Sequence, residues 1–293
     1  MRQPAMLAIF CALALNAFSQ EYEIKFTRPS KAGDVSREIS TGTSTQQSTV
    51  FSAGQVIKSA NLITEIELES DNTVVETDKE GRPIRESLLV RICKVKIDGQ
   101  ESTPFAAGTV INASVKDGKV VFDVDNKPVD DRLSAALSLV ESLYTGGIGD
   151  DEVFGTSDRK KIGDSWKIRP EAIPADMARH EIKVDKDKID GSVRVEKLEK
   201  SGDADCLFIS AEMSVKDIVP KLPENLKVES SVMMTNFTGL FPLDLASQRL
   251  AQTTEFKMQM TLIGRVNPES PEVKIVSTNE RKSSQKSIPG KKQ

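Results

Sequence analysis

The chain has 293 residues, 38% of them hydrophobic, 29% charged and 5% aromatic, a mixture that excludes a collagen, a coiled coil, a polytopic membrane protein and a wholly disordered chain. Forty Lys and Arg against 44 Asp and Glu leave a formal charge of -4, so there is no general basic surface for nucleic acid. One His and three Cys leave little material for metal or triad chemistry.

Met1 to Ser19 opens with Arg2, runs through an apolar stretch from Ala5 to Leu15 and ends on Ala17, Phe18 and Ser19. That is the layout of a signal peptide, with cleavage after Ser19 and a secreted or periplasmic destination. The apolar run is shorter than the roughly 20 residues that span a bilayer. The rest divides into an N-terminal β-rich half (20–150), a C-terminal β-rich half (151–266) and a tail (267–293).

Tyr22, Ile24 and Phe26 alternate with Glu23, Lys25 and Thr27, the period of a strand with one buried face. Leu62, Thr64, Ile66 and Leu68 alternate in the same way with Ile63, Glu65, Glu67 and Glu69, and Arg85 to Ile97 reads as a central strand. Val110–Val115 and Lys119–Val124 flank Asp117-Gly118, a pair suited to the positive φ angles of a type I′ hairpin. Leu133, Ala136, Leu137, Val140, Leu143 and Tyr144 then recur at helical spacing, predicting one packing helix over 130–144, with Asp130 and Asp131 at its start and Gly146 at its end.

The polar, glycine-rich stretch 146–161 marks the boundary between the halves. Beyond it, Ser192–Leu198 and Cys206–Met213 flank a turn at Ser201-Gly202-Asp203. Pro242 to Leu250 has Leu spacing that fits a helix, but Phe241, Leu243 and Leu245 also alternate, which favours two strands around a turn at Ser247-Gln248; further on, Phe256, Met258 and Met260 alternate on one face. Past Arg265 the composition turns to Pro, Ser and Lys, which predicts a disordered tail, solvated or drawn to an acidic polymer or membrane surface. The fold class is therefore α+β, predominantly antiparallel β.

The motifs of chemistry are mostly missing. No G-x-S-x-G elbow, H-E-x-x-H, C-x-x-C, Walker loop or G-x-G-x-x-G occurs, so no metal and no nucleotide cofactor is expected, and His180 reads as an ordinary histidine. Asp185, Asp187, Asp190 and Glu196 imitate a calcium loop, but Ile189 stands at a ligand position and Asp190 where the turn glycine belongs, which leaves a charged turn. With the leader removed, Cys93 and Cys206 form an even pair, either a disulfide or two buried thiols. Met233, Phe256, Met258 and Met260 are candidates for an apolar ligand site, because unbranched thioethers adapt to varied shapes; an adaptable core uses the same residues.

The order Gly163-Asp164-Ser165-Trp166, then Gly191-Ser192-Val193 opening a strand, then Asp205-Cys206-Leu207-Phe208-Ile209 in its partner, then strands around Ser247-Gln248-Arg249, resembles a loose group of exported bacterial β-rich proteins of unknown function. The resemblance is strongest in the second half and implies an envelope-associated β domain with no catalytic residues to carry across. A weaker analogy, to half-barrel carriers of lipoproteins, implies curved sheets around a hydrophobic ligand, though the aromatic-rich lining of such carriers is missing. Two function classes follow: a non-enzymatic envelope protein binding a hydrophobic ligand or an envelope protein partner across a sheet, or a hydrolase of cell-envelope material working through carboxylates. An apolar concavity would mark the first, and two convergent buried carboxylates in a polar cleft the second.

Overall fold

Alternation of side chains along long strands produces most of this molecule, which a computed structural model describes over residues 20–265 and 269–290. The leader expected at Met1–Ser19 lies outside the described residues. The N-terminal strands are β1 (Val35–Ser52), β2 (Gln55–Thr77), β3 (Pro83–Ile97), β4 (Gln100–Ser102), β5 (Val110–Lys116), β6 (Lys119–Val124) and β7 (Lys127–Pro128). Two helices follow, α1 (Asp131–Leu137) and α2 (Asp150–Val153), then β8 (Ser165–Lys167), α3 (Ile173–Arg179) and β9 (Ile182–Lys183). The chain ends with β10 (Ile189–Ser201), β11 (Ala204–Lys216), β12 (Val219–Pro220), β13 (Leu226–Pro242), β14 (Ala251–Gly264) and β15 (Val273–Pro289).

Thirteen of these strands form one antiparallel sheet in the order β7-β6-β5-β3-β2-β1-β15-β14-β13-β11-β10-β8, with β4 beside β3; β9 and β12 pair separately. The two end strands do not pair with each other, so this large curved sheet stays open. The predicted hairpin forms between β5 and β6, with Asp117 at φ 51° and Gly118 at φ 71°, both positive as a type I′ turn requires. β13 and β14 flank Ser247-Gln248, but β13 ends at Pro242 and β14 begins at Ala251, so Leu243 and Leu245 lie in a longer connection and not in a strand.

One face of the sheet carries two apolar clusters. The first contains Leu68 of β2, Leu88, Cys93 and Val95 of β3, Ile111 of β5 and Leu137 of α1. The second contains Val193, Val195, Leu207, Ile209 and Phe241, with Tyr22, Ile24 and Phe26 from the N-terminal segment packed among them. The opposite face carries ion pairs between neighbouring strands: Arg37 with Glu69, Arg91 with Asp71 (2.6 Å), Lys94 with Glu67 (3.1 Å), Lys257 with Glu280 (2.6 Å) and Lys282 with Glu255 (2.6 Å). Exposed pairs of this kind add little stability, but they mark a wet face, unlike the apolar outer band of a membrane barrel.

Three expectations are corrected and one alternative is decided. Residues 273–289, expected as disordered tail, form β15, which lies between β1 and β14 and pairs with both. Its polar residues make a poor amphipathic pattern, yet a strand hydrogen-bonded on both sides needs none. The packing helix stops at Leu137, with Ser138 as its C-cap; residues 138–140 form a turn and 141–144 run on irregularly, while Val140 and Leu143 stay buried. Tyr22, Ile24 and Phe26 are buried in alternation, but the segment joins no ladder beyond a bridge from Tyr22 to Lys160. Its backbone is held instead by Asp151, whose carboxylate accepts the N–H groups of Phe26 (2.6 Å) and Thr27 (3.0 Å). Finally, Cys93 and Cys206 are free, buried thiols in separate clusters. Five strands lie between β3 and β11, far beyond the roughly 7 Å between Cα atoms that a disulfide bridges.

Candidate functional site

A cavity of about 360 Å³ opens where the turns after α1 pass over the sheet. Gly42 on β1 sets the height of that roof. A Cβ there would come within 2.7 Å of Leu139 Cβ and 3.0 Å of Val140 Cγ1, so the missing side chain lets the roof settle onto the strand. Thr235 and Phe237 of β13, Gln252 and Thr254 of β14, and Ser283 and Gln285 of β15 form the floor. Because Phe237 is in register with Thr254, and Thr254 with Ser283, these side chains fall on one face of three adjacent strands.

The apolar wall is aromatic. Phe26 packs its ring 6.1 Å from Phe154, 6.4 Å from Phe237 and 5.3 Å, edge-on, from Phe241, so residues far apart in sequence build one cluster. Of these, Phe26, Phe154 and Phe237 line the cavity, with Leu139 and Val140 across from the sheet.

Charge enters from two directions. Arg249, in the connection between β13 and β14, lines the cavity with its guanidinium 5.8 Å from the Phe237 ring and 6.0 Å from that of Phe241. Burial pushes its pKa down, while Asp150 and Glu38 push it up. Arg28 lies 5.8 Å from the same Phe241 ring and donates to the carbonyls of Pro242 and Asp244, each at 3.1 Å.

Opposite the arginines sits a group of carboxyls. Ser70 donates to Asn72 Oδ1 (2.6 Å), and Asn72 donates through Nδ2 to Glu141 Oε2 (3.4 Å). Burial, then the charges of Glu86 and Glu38, holds the Glu141 carboxyl well above the ordinary carboxylate range. Burial and the charge of Glu38 push Glu86 up to about 7. Glu38 is raised by burial against a hydrogen bond donated by Gln285, and Asp150 is raised by burial against the pull of Arg249. Glu141 and Asp150 line the cavity.

The four sequence candidates lie on this same face, farther along the strands. Met233 faces Met258 in register, both packed against the second cluster, and Phe256 lies 5.9 Å from the Arg281 guanidinium. None of the four lines the cavity, which uses Thr235, Phe237, Gln252 and Thr254 of the same two strands. Arg249, Phe26, Phe154, Phe237, Glu38, Glu86 and Glu141 are the residues that sequence reasoning missed. His180 ends α3 as its C-cap, and Asp185 accepts the Asp187 N–H (3.0 Å), a charged turn as expected. A larger depression, about 610 Å³, lies beside that turn, but it is broad and open, and its Asp217 already pairs with Lys188 (2.9 Å).

No known protein family matches the sequence, and no curated protein matches it. Among solved structures the chain is similar to lipovitellin, in a structure concerned with lipid–protein interactions, at 10% identity and a TM-score of 0.33 over 90% of this chain and 26% of that one. It thus spans about a quarter of the lipovitellin chain. It is also similar to OpdQ of Pseudomonas aeruginosa (10% identity, 87% and 98% of the two chains, TM-score 0.22) and to the outer membrane protein OprG of the same organism (7%, 89% and 99%, 0.16). Likenesses of such low identity and TM-score identify no family and carry no argument about a ligand.

Proposed function

We propose that this chain is an exported envelope protein that binds an apolar ligand between its sheet and the roof formed by residues 138–142. The single observation that carries the reading is the cavity of about 360 Å³, of a size typical of small-molecule sites, with Phe26, Phe154 and Phe237 as an apolar wall beside a polar floor. A ligand longer than the cavity would continue along the same face over Phe256, Met258, Met233 and Met260. The secreted or periplasmic location rests on the leader Met1–Ser19, and an envelope protein partner is the other occupant such a face could serve.

The hydrolase alternative has weaker support. Two carboxyl groups must face one bond. Glu141 lines the cavity, but its charged neighbours Glu86 and Glu38 do not, while Asp150 interacts with Arg249 and Asp151 rather than with Glu141.

The neutral probe N-phenyl-1-naphthylamine should bind the full chain saturably, with one probe per chain displaced by dodecanol. Thr254→Trp, which projects an indole into the cavity, should remove the binding while leaving the melting temperature within a few degrees. Fluorescence that rises without saturation, or equal binding by a folded Thr254→Trp variant, would contradict the reading.

A further inference from the structure

We infer that the cavity selects ligands with an anionic head, a carboxylate foremost, and that Arg249 is the residue that holds it. This deepens the proposed binding role and rests on it.

A guanidinium carries five N–H donors in a planar fork. Among the described residues Arg249 is an unpartnered cation, with no hydrogen bond and no ion pair; Asp150 and Glu38 act on it from beyond contact distance. The rings of Phe237 and Phe241 attract the charge but accept no N–H in the plane of the fork. Arg249 is half-buried, so its donors are only partly hydrated at the cavity, and a carboxylate matches the fork with two parallel hydrogen bonds.

The surroundings leave that position to a ligand. On the N-terminal segment, Arg28 adds a second positive charge beside Phe241. The acids facing Arg249 come from α2 (Asp150) and β1 (Glu38), and Glu141 faces the cavity from the roof. Burial raises all three, and so weakens them as competitors for the guanidinium. Gln285 is engaged with Glu38 and accepts from Gln252 Nε2 (2.7 Å), so the amides beside the floor are already paired. Beside the serines and threonines of the roof and floor, the apolar part of the wall is Phe26, Phe154, Phe237, Leu139 and Val140, which suits an alkyl chain or ring attached to the anionic group.

Calorimetric titration of the full chain at neutral pH with dodecanoate, dodecanol and dodecyltrimethylammonium tests this. Dodecanoate should bind about 10 to 100 times more tightly than dodecanol, the range that a charge-assisted hydrogen bond supplies. Arg249→Met should abolish the preference, bringing the affinity ratio of dodecanoate to dodecanol to about one. Arg249→Lys should keep part of the preference, because it retains the charge and loses the fork. If the Met variant does not fold, the wild-type ratio and the Lys variant decide. Equal affinity of the wild type for dodecanoate and dodecanol, or a preference for the cation, overturns the selection of anions while leaving the binding role intact. Failure of all three to bind overturns both.

Discussion

Deletion of residues 273–293 should leave a chain without a cooperative unfolding transition. β15 pairs with β1 from Val273 to Pro289 and with β14 from Val273 to Lys286, so it is the join between the N-terminal and C-terminal sets of strands. Each backbone hydrogen bond contributes about 0.5–1.5 kcal/mol net, and two ladders of this length together exceed the roughly 5–15 kcal/mol of a typical domain. The truncation would also bare two long strand edges, which invite aggregation. Circular dichroism during heating checks this: a broad, non-cooperative signal or precipitation is expected, whereas melting within a few degrees of the full chain would show that the halves hold together without β15.

Stability should fall as the pH rises from about 5 to about 8. The carboxyl of Glu86 is raised from an ordinary 4.5 to about 7 by burial and the charge of Glu38, so the folded state binds its proton more tightly than the unfolded chain does. The resulting stabilisation is fully present below pH 4.5 and is lost as the pH rises through 7. A tenfold difference in proton affinity corresponds to about 1.4 kcal/mol, so Glu86 together with the acid it is coupled to accounts for roughly 3 kcal/mol. Glu141 and Glu38 are displaced in the same direction and extend the decline. Asp78, Asp190 and Asp244 are lowered, so their contribution is lost only as the pH falls below the ordinary carboxylate value of 3.8, outside this window. Urea midpoints at pH 5, 6, 7 and 8 should decrease in order, and Glu86→Gln should flatten the decline. A midpoint that stays constant or rises with pH would show that these acids are ionised in the folded protein.

What could be read from the sequence was set by short-range signals. Asp117-Gly118 announced its hairpin because both residues accept positive φ, whereas the β1–β2 turn places Ala53 at φ 48°, a conformation alanine rarely adopts, and so gave no warning. Met258 and Phe256 share a face as their spacing requires. β15 escaped because Ser277, Asn279, Ser283 and Gln285 on one side and Thr278, Glu280 and Lys282 on the other are all polar, so its order comes from two neighbouring strands rather than from apolar alternation. The N-terminal segment gave the correct buried residues and the wrong partner, since Tyr22, Ile24 and Phe26 would alternate in any extended chain. The cavity was illegible for a topological reason: Phe26, Phe154, Phe237 and Arg249 meet only after the open sheet has curved and residues 138–155 have crossed it. Arg249 stood beside a predicted turn, where an arginine gives no sign that it lacks a partner.

The most direct test of the central claim is a crystal structure of the full chain grown with dodecanoate. The binding site described above predicts an alkyl chain lying against Phe26, Phe154 and Phe237 beneath residues 138–142, with its carboxylate in hydrogen-bond range of the Arg249 guanidinium. An empty cavity, with dodecanoate found elsewhere or nowhere on the molecule, would contradict it.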